Sequence, residues 1–82
     1  GGLNMDTNFI ISLDSIADVN AFANTIAHFK SEIDLSSGRY IVNAKSIMGI
    51  FSLDLTRPLT LTVHGKDKLE EISSAIAPYL KK

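Results

Sequence analysis

The sequence predicts an α+β fold, a four-stranded antiparallel sheet with three helices over one face, in the order β-α-β-β-α-β-α. Three observations point there. Four short stretches alternate apolar and polar residues with the period of a strand. Three others repeat apolar residues every three or four positions, as an amphipathic helix does. Each strand also has a single apolar face, which suits an antiparallel sheet packed on one side and wet on the other.

Phe9, Ile11 and Leu13 alternate with Ile10 and Ser12 and form the first strand. Ser15-Ile16-Ala17-Asp18 follows as a capping-box variant, with Ser15 as N-cap and Asp18 at N3. Ile16, Val19, Phe22, Ala23, Ile26 and Phe29 then make one apolar helical stripe. Glu32-Ile33-Asp34-Leu35 alternates again, Ser36-Ser37-Gly38-Arg39 reads as a turn, and Tyr40, Val42 and Ala44 alternate after it, so this segment is a hairpin. A short helix is expected from Ser46 to about Leu53. Arg57-Pro58 marks a loop, because proline disfavours helix at the preceding residue. Leu59, Leu61 and Val63 alternate with Thr60, Thr62 and His64 in a strand of high β propensity that Gly65 ends. Asp67-Lys68-Leu69-Glu70 reads as a capping box opening the last helix, with Leu69, Ile72, Ile76 and Tyr79 or Leu80 inward. Pro78 removes a backbone bond and should fray or kink that helix near Ala77.

Length and composition limit the function. The 82 residues suffice for one domain, and one this small buries about 60–65% of the surface its unfolded chain exposes. Gly1-Gly2-Leu3-Asn4, before Met5, reads as a vector-derived remnant, which leaves 5–82 as a single domain. A net charge of −1 supplies no field to attract nucleic acid or an acidic membrane. The absence of cysteine excludes disulfides and thiolate metal sites and suits a reducing cytoplasm. No apolar run reaches the length of a membrane span, and no signal peptide is expected. The sequence has no phosphate loop, no zinc spacing and no nucleophile elbow, so neither a cofactor nor a metal is expected.

Residues 42–55, VNAKSIMGIFSLDL, hold the most informative cluster. Ser46 is placed to cap the short helix. Gly49 inside that helix costs about 1 kcal/mol relative to alanine and allows close approach of another backbone, or merely thins one face. Ile47, Met48, Ile50, Phe51 and Leu53 are too many apolar residues for one side of two turns. Ile50 and Leu53 can point inward together, which turns Ile47 and Met48, with Phe51, partly outward as a contact surface. The alternative is that all five are core beneath a tight loop.

The stretch Val42 to Leu53 resembles the signature of the HPr family, the phosphocarriers of the bacterial sugar phosphotransferase system, whose pattern there is close to VNLKSIMGVMSL. The similarity extends upstream through Phe29-Lys30-Ser31-Glu32-Ile33-Asp34-Leu35 and covers the order of all seven elements. The resemblance implies an open-faced β-sandwich and a protein that is not itself an enzyme. In this family the phosphoryl group rides on a histidine at the start of the first helix, in a GIHARPA-like motif. Here that segment reads Leu13-Asp14-Ser15-Ile16-Ala17-Asp18-Val19. Ser15 stands at the histidine's place, Ala17 at the arginine's and Asp18 at the proline's.

The chemistry of the exchange is consequential. A neutral imidazole is a ready nucleophile whose phosphoramidate releases its phosphoryl group easily. A serine hydroxyl needs a base, and its phosphate ester is too stable to relay. The family's arginine would stabilise charge on the transferring oxygens, whereas Ala17 cannot and Asp18 would repel them. His28, about 20 Å along the helix at 1.5 Å per residue, reads as a surface residue, and His64 as a strand end. Asp14, Ser15 and Asp18 read as a cap with an acidic first turn rather than a metal or nucleophile site.

Ser46 remains. In many Gram-positive members the serine of the KSIMG block is phosphorylated by an ATP-dependent kinase, and a paralogue without the histidine acts only as a regulator. A phosphate at that place would meet free amides and the positive end of the helix dipole. A plain N-cap is the competing role. The resemblance therefore implies a regulatory, partner-binding protein that contacts partners through Lys45, Ser46, Ile47, Met48 and Phe51. HPr kinase, a catabolite-control repressor or other phosphotransferase-system components are the candidate partners. The alternatives are a functional phosphocarrier and a docking or self-associating module that is never phosphorylated.

Overall fold

The computed structural model describes residues 6–81; the remnant expected at residues 1–4 lies outside them. The elements run β1 (Thr7–Ile11), α1 (Ile16–Ala27), β2 (Glu32–Ser37), β3 (Tyr40–Asn43), α2 (Ile47–Phe51), β4 (Leu59–His64) and α3 (Leu69–Ile76), followed by a 3-10 turn at Ala77–Tyr79. The four strands form one antiparallel sheet in the order β1-β4-β2-β3. The last strand in sequence therefore lies between the first two. The segment after α3 covers part of the β1 edge: Ser12 N donates to the Tyr79 carbonyl at 2.8 Å and Lys81 N to the Ile10 carbonyl at 2.9 Å. Those bonds occupy backbone groups that an open edge would leave to water.

One face of the sheet is apolar. Ile11, Ile33, Leu35, Leu59, Leu61 and Val63 are buried there beneath Val19, Phe22 and Ile26 of α1, Ile50 of α2, and Ile72 and Ile76 of α3. No polar side chain is buried among the described residues, so desolvation of polar groups does not oppose core burial. The opposite face carries Asn8, Thr60, Thr62, His64, Asp34 and Asn43, all at least partly exposed. This is the open-faced arrangement that the alternation predicts.

The local signals hold for α1, where the Ser15 hydroxyl accepts from Asp18 N at 3.0 Å. Asp18 Oδ2 reaches back to Asp14 N at 3.3 Å rather than to the cap residue itself. Pro78 falls where α3 gives way to the 3-10 turn, because proline cannot donate to the helical ladder.

Four expectations need correction. The capping box at Asp67 does not form. Lys68 is the N-cap of α3, with φ 53° and no side-chain bond. The backbone turns before the helix, with Leu69 N donating to the Lys66 carbonyl at 3.2 Å, so Asp67 sits one residue too early to cap. The hairpin turn is only Gly38-Arg39, since β2 runs through Ser37 and Ser37 faces Tyr40. Gly38 has φ +60° at the first loop position, as a two-residue hairpin of this kind requires. Tyr40 is exposed, because it ends an edge strand with a neighbour on one side only. Ile16 is 69% exposed. At about 100° per residue it lies roughly 70° from the mean direction of Val19, Phe22, Ala23 and Ile26, off the buried arc.

Phe22 is fully buried and meets Tyr79 edge-on at 5.6 Å between ring centres. It thereby ties α1 to the turn after α3. Phe22→Ala should lower unfolding free energy by about 3–5 kcal/mol in urea denaturation, from lost transfer energy and the cavity left behind.

Candidate functional site

The site is built on α2. Asn43 ends β3, and its Oδ1 accepts from Lys45 N at 2.9 Å while its carbonyl accepts from Ser46 N at 2.9 Å. Those two bonds turn the chain out of the sheet. Ser46 then enters the helix as N-cap, its hydroxyl accepting from Gly49 N at 3.0 Å. The helix is shorter than expected and stops at Phe51. Ser52 closes it with i→i+3 bonds, its hydroxyl donating to the Gly49 carbonyl at 2.6 Å.

Gly49 is where α2 meets the sheet. A Cβ added there would stand 3.1 Å from Ser46 Oγ and 3.2 Å from Val42 Cβ. The expected close approach of another backbone is not what fills this space: the neighbours are the side chains of Val42 and of the capping Ser46.

The five apolar residues divide between core and surface. Ile50 and Leu53 are buried, and Ile47 is half-buried against the core. Met48 is 85% and Phe51 43% exposed. The outward patch therefore rests on Met48 and Phe51, with Ile47 leaning inward. Lys45 is not a free cation, since its Nζ donates to the Phe29 carbonyl at 2.6 Å.

Beside Phe51 a crevice of about 440 Å³ opens between the entry to α1 and the loop after α2. Leu13, Ile16, Phe51 and Leu55 give it apolar walls, and Asp14 is its charged lining residue. Sequence reasoning did not assign Leu13, Ile16 or Leu55 to a site. The available signal was Ile16, an apolar residue at the edge of the helical stripe next to an acidic cap.

Ser15 caps α1 at one margin of this crevice. Neither histidine stands near it. His28 is the C-cap of α1, at the far end of the helix. His64 lies on the open face of the sheet. Its Nδ1 is 2.9 Å from Asp6 Oδ1 and its Nε2 2.7 Å from Asp34 Oδ2. A carboxylate at each ring nitrogen favours the imidazolium, the form that can donate to both. The Asp34 bond, then the Asp6 bond, hold its pKa above the ordinary 6.5. These groups are bonded in a row rather than converging, and no group of His, Asp and Glu among the described residues could hold a metal ion. No described helix is long and apolar enough to cross a membrane.

The four-stranded open sheet with its three helices, and the KSIMG block capping the middle one, define a class of small phosphotransferase-system proteins. The family model described as the PTS HPr component phosphorylation site matches residues 18–82, and the chain belongs to that family. Its members are phosphocarriers rather than enzymes, and they interact with other proteins of the same system. The phosphocarrier protein HPr of Bacillus anthracis str. Ames has a similar structure, with TM-score 0.71 and 29% identity over 95% of this chain and 100% of that one. HPr-C-His of Thermoanaerobacter tengcongensis gives TM-score 0.66 and 29% identity over 89% of this chain and 86% of that one. A histidine-containing phosphocarrier protein of Mycoplasma, at 18% identity, TM-score 0.66 and coverage of 94% and 99%, shares the fold. No curated protein sequence matches the chain.

Two outcomes are expected from this geometry. The folded state favours the imidazolium of His64 relative to the unfolded chain. Its stabilisation is therefore present below the unfolded value of 6.5 and is lost as pH rises through the higher folded value. In urea denaturation the stability advantage over His64→Asn should be widest between about pH 5 and 6.5 and should shrink above that window. Gly49→Ala should lower stability by about 1 kcal/mol despite alanine's better helix propensity, because the added methyl overpacks Val42 and the capping hydroxyl. Thermal denaturation of the two proteins side by side measures this.

Proposed function

We propose that this HPr-family chain is a regulatory, partner-binding protein of the phosphotransferase system. It does not relay phosphoryl groups through histidine. The reading is carried by one observation: Ser15 caps α1 where the family's carrier motif would begin, and neither imidazole of the chain lies beside it. Ala17 supplies no guanidinium and Asp18 adds an anion. His64 supports the same reading, since both its ring nitrogens face carboxylates. A phosphoryl donor approaching it would meet negative charge, and both nitrogens are already engaged with carboxylates.

Control in this proposal acts at Ser46. An ATP-dependent kinase transfers the γ-phosphoryl group to its hydroxyl, at the start of the helix that carries the exposed Met48 and Phe51. A partner such as a catabolite-control repressor or another component of the system then reads phosphate and apolar surface together, with Lys45 and Ile47 completing the contact. The protein acts in the cytoplasm, takes no cofactor and contacts neither nucleic acid nor membrane. A second reading, a working phosphocarrier, is favoured by family membership and by the names of the similar structures.

Intact-mass measurement separates the two. Incubation with ATP and an HPr kinase should add one phosphate, absent from Ser46→Ala, while phosphoenolpyruvate with enzyme I should add none. Acid-labile label from phosphoenolpyruvate would establish the carrier instead. No addition from either donor would reduce Ser46 to a helix cap and leave an unmodified docking module.

A further inference from the structure

The crevice at the N-terminus of α1 has a chemistry opposite to that needed to receive a phosphoryl group. Its mouth is acidic. Asp14 lines it, and Asp18, one turn into α1, presents a second carboxylate whose Oδ2 accepts from Asp14 N. No lysine or arginine precedes Lys30 in the chain, so the whole of α1 and its approach lack a basic residue. Of the other cations, Lys81 lines an adjoining hollow together with Asp14, though no ion pair joins the two, and two more are held by other groups. Lys45 is bonded to the Phe29 carbonyl. The Arg57 guanidinium is 3.7 Å from Asp54, whose carboxylate two bonds from Thr56 hold below its usual range.

The walls behind this acidic mouth are apolar. Ile16 and Phe51 flank the opening, with Leu13 buried at its base and Leu55 half-buried. Apolar walls with a carboxylate at the rim match a side chain that has a hydrocarbon stem and a cationic head. An acidic side chain would meet repulsion from Asp14, and a purely apolar one would leave that carboxylate against it without a counter-charge.

We propose that the crevice takes a lysine or arginine side chain of a partner protein, its stem between Ile16 and Phe51 and its cation on Asp14. This rests on reading the α2 face as a docking surface and specifies what that surface selects, a basic partner segment with apolar neighbours. Phosphorylation of Ser46, at the other end of the same five-residue helix, would add negative charge to that helix and favour the same basic segment.

The test is an amide-resolved NMR titration of the unphosphorylated protein with acetyl-Gly-Leu-Arg-Leu-Gly-amide, beside the same peptide carrying glutamate in place of arginine. The arginine peptide should shift the amides of Ile16, Phe51 and Thr56, and the glutamate peptide should not. Asp14→Asn should weaken the arginine peptide by about fivefold, the size of one partly exposed ion pair. Asp14 is exposed and precedes the helix, so an unchanged spectrum away from the crevice verifies that this variant folds. Equal shifts with both peptides, or no effect of Asp14→Asn, would overturn the charge preference and leave a docking face that selects apolar surface alone. Shifts confined to other parts of the molecule, or none, would overturn the crevice as a site. Neither outcome touches the mass measurement at Ser46, which fails or succeeds independently.

Discussion

The row Leu59, Leu61 and Val63 along β4 is the constraint on which the rest of the molecule depends. All three are buried, and β4 is paired on both sides. Leu61 faces Phe9 on β1 and Leu35 on β2, while Val63 faces Thr7 and Ile33. A shift of one residue in either register would turn this row into water and bring Thr60, Thr62 and His64 against the helices. The alternation therefore specifies pairing and layer together. With β4 fixed between β1 and β2, α1 and α3 have one apolar face to cover, and the hairpin of β2 and β3 extends the sheet to the edge on which α2 rests.

α2 is held by a different device. It is too short to be stable through helix propensity, so it depends on its caps and on contact with β3. Gly49 brings the helix close to Val42, and Ile50 and Leu53 anchor its inner side. With two of the five apolar residues of this segment buried and Ile47 leaning inward, Met48 and Phe51 remain to face solvent. The exposed patch is a geometric consequence of this packing: a helix of this length, with apolar residues on more than one side, cannot bury all of them against one sheet.

Charge distribution gives the two faces separate characters. On the open face His64 links carboxylates on two segments, Asp6 before β1 and Asp34 on β2, through its two ring nitrogens. At the start of α1 the carboxylates of Asp14 and Asp18 stand beside apolar walls with no basic residue in that helix.

Much of this was legible in the residues. Element order, the one-sided sheet, the Ser15 and Ser46 caps and the inward turn of Ile50 and Leu53 follow from periodicity and capping chemistry, which act over a few residues. The KSIMG block resembles the family's signature, and its residues also meet local demands: a cap at Ser46, tight side-chain packing at Gly49 and an outward Met48. Tertiary structure alone decided the insertion of β4 between β1 and β2, the left-handed entry to α3 at Lys68, the bonds of His64 to residues 30 and 58 positions away, and the crevice joining Ile16 to Phe51. Each brings together groups distant in sequence or depends on how one element meets another. Local pattern ranks conformations of a segment; it does not say which segment, or which charge, will lie across from it.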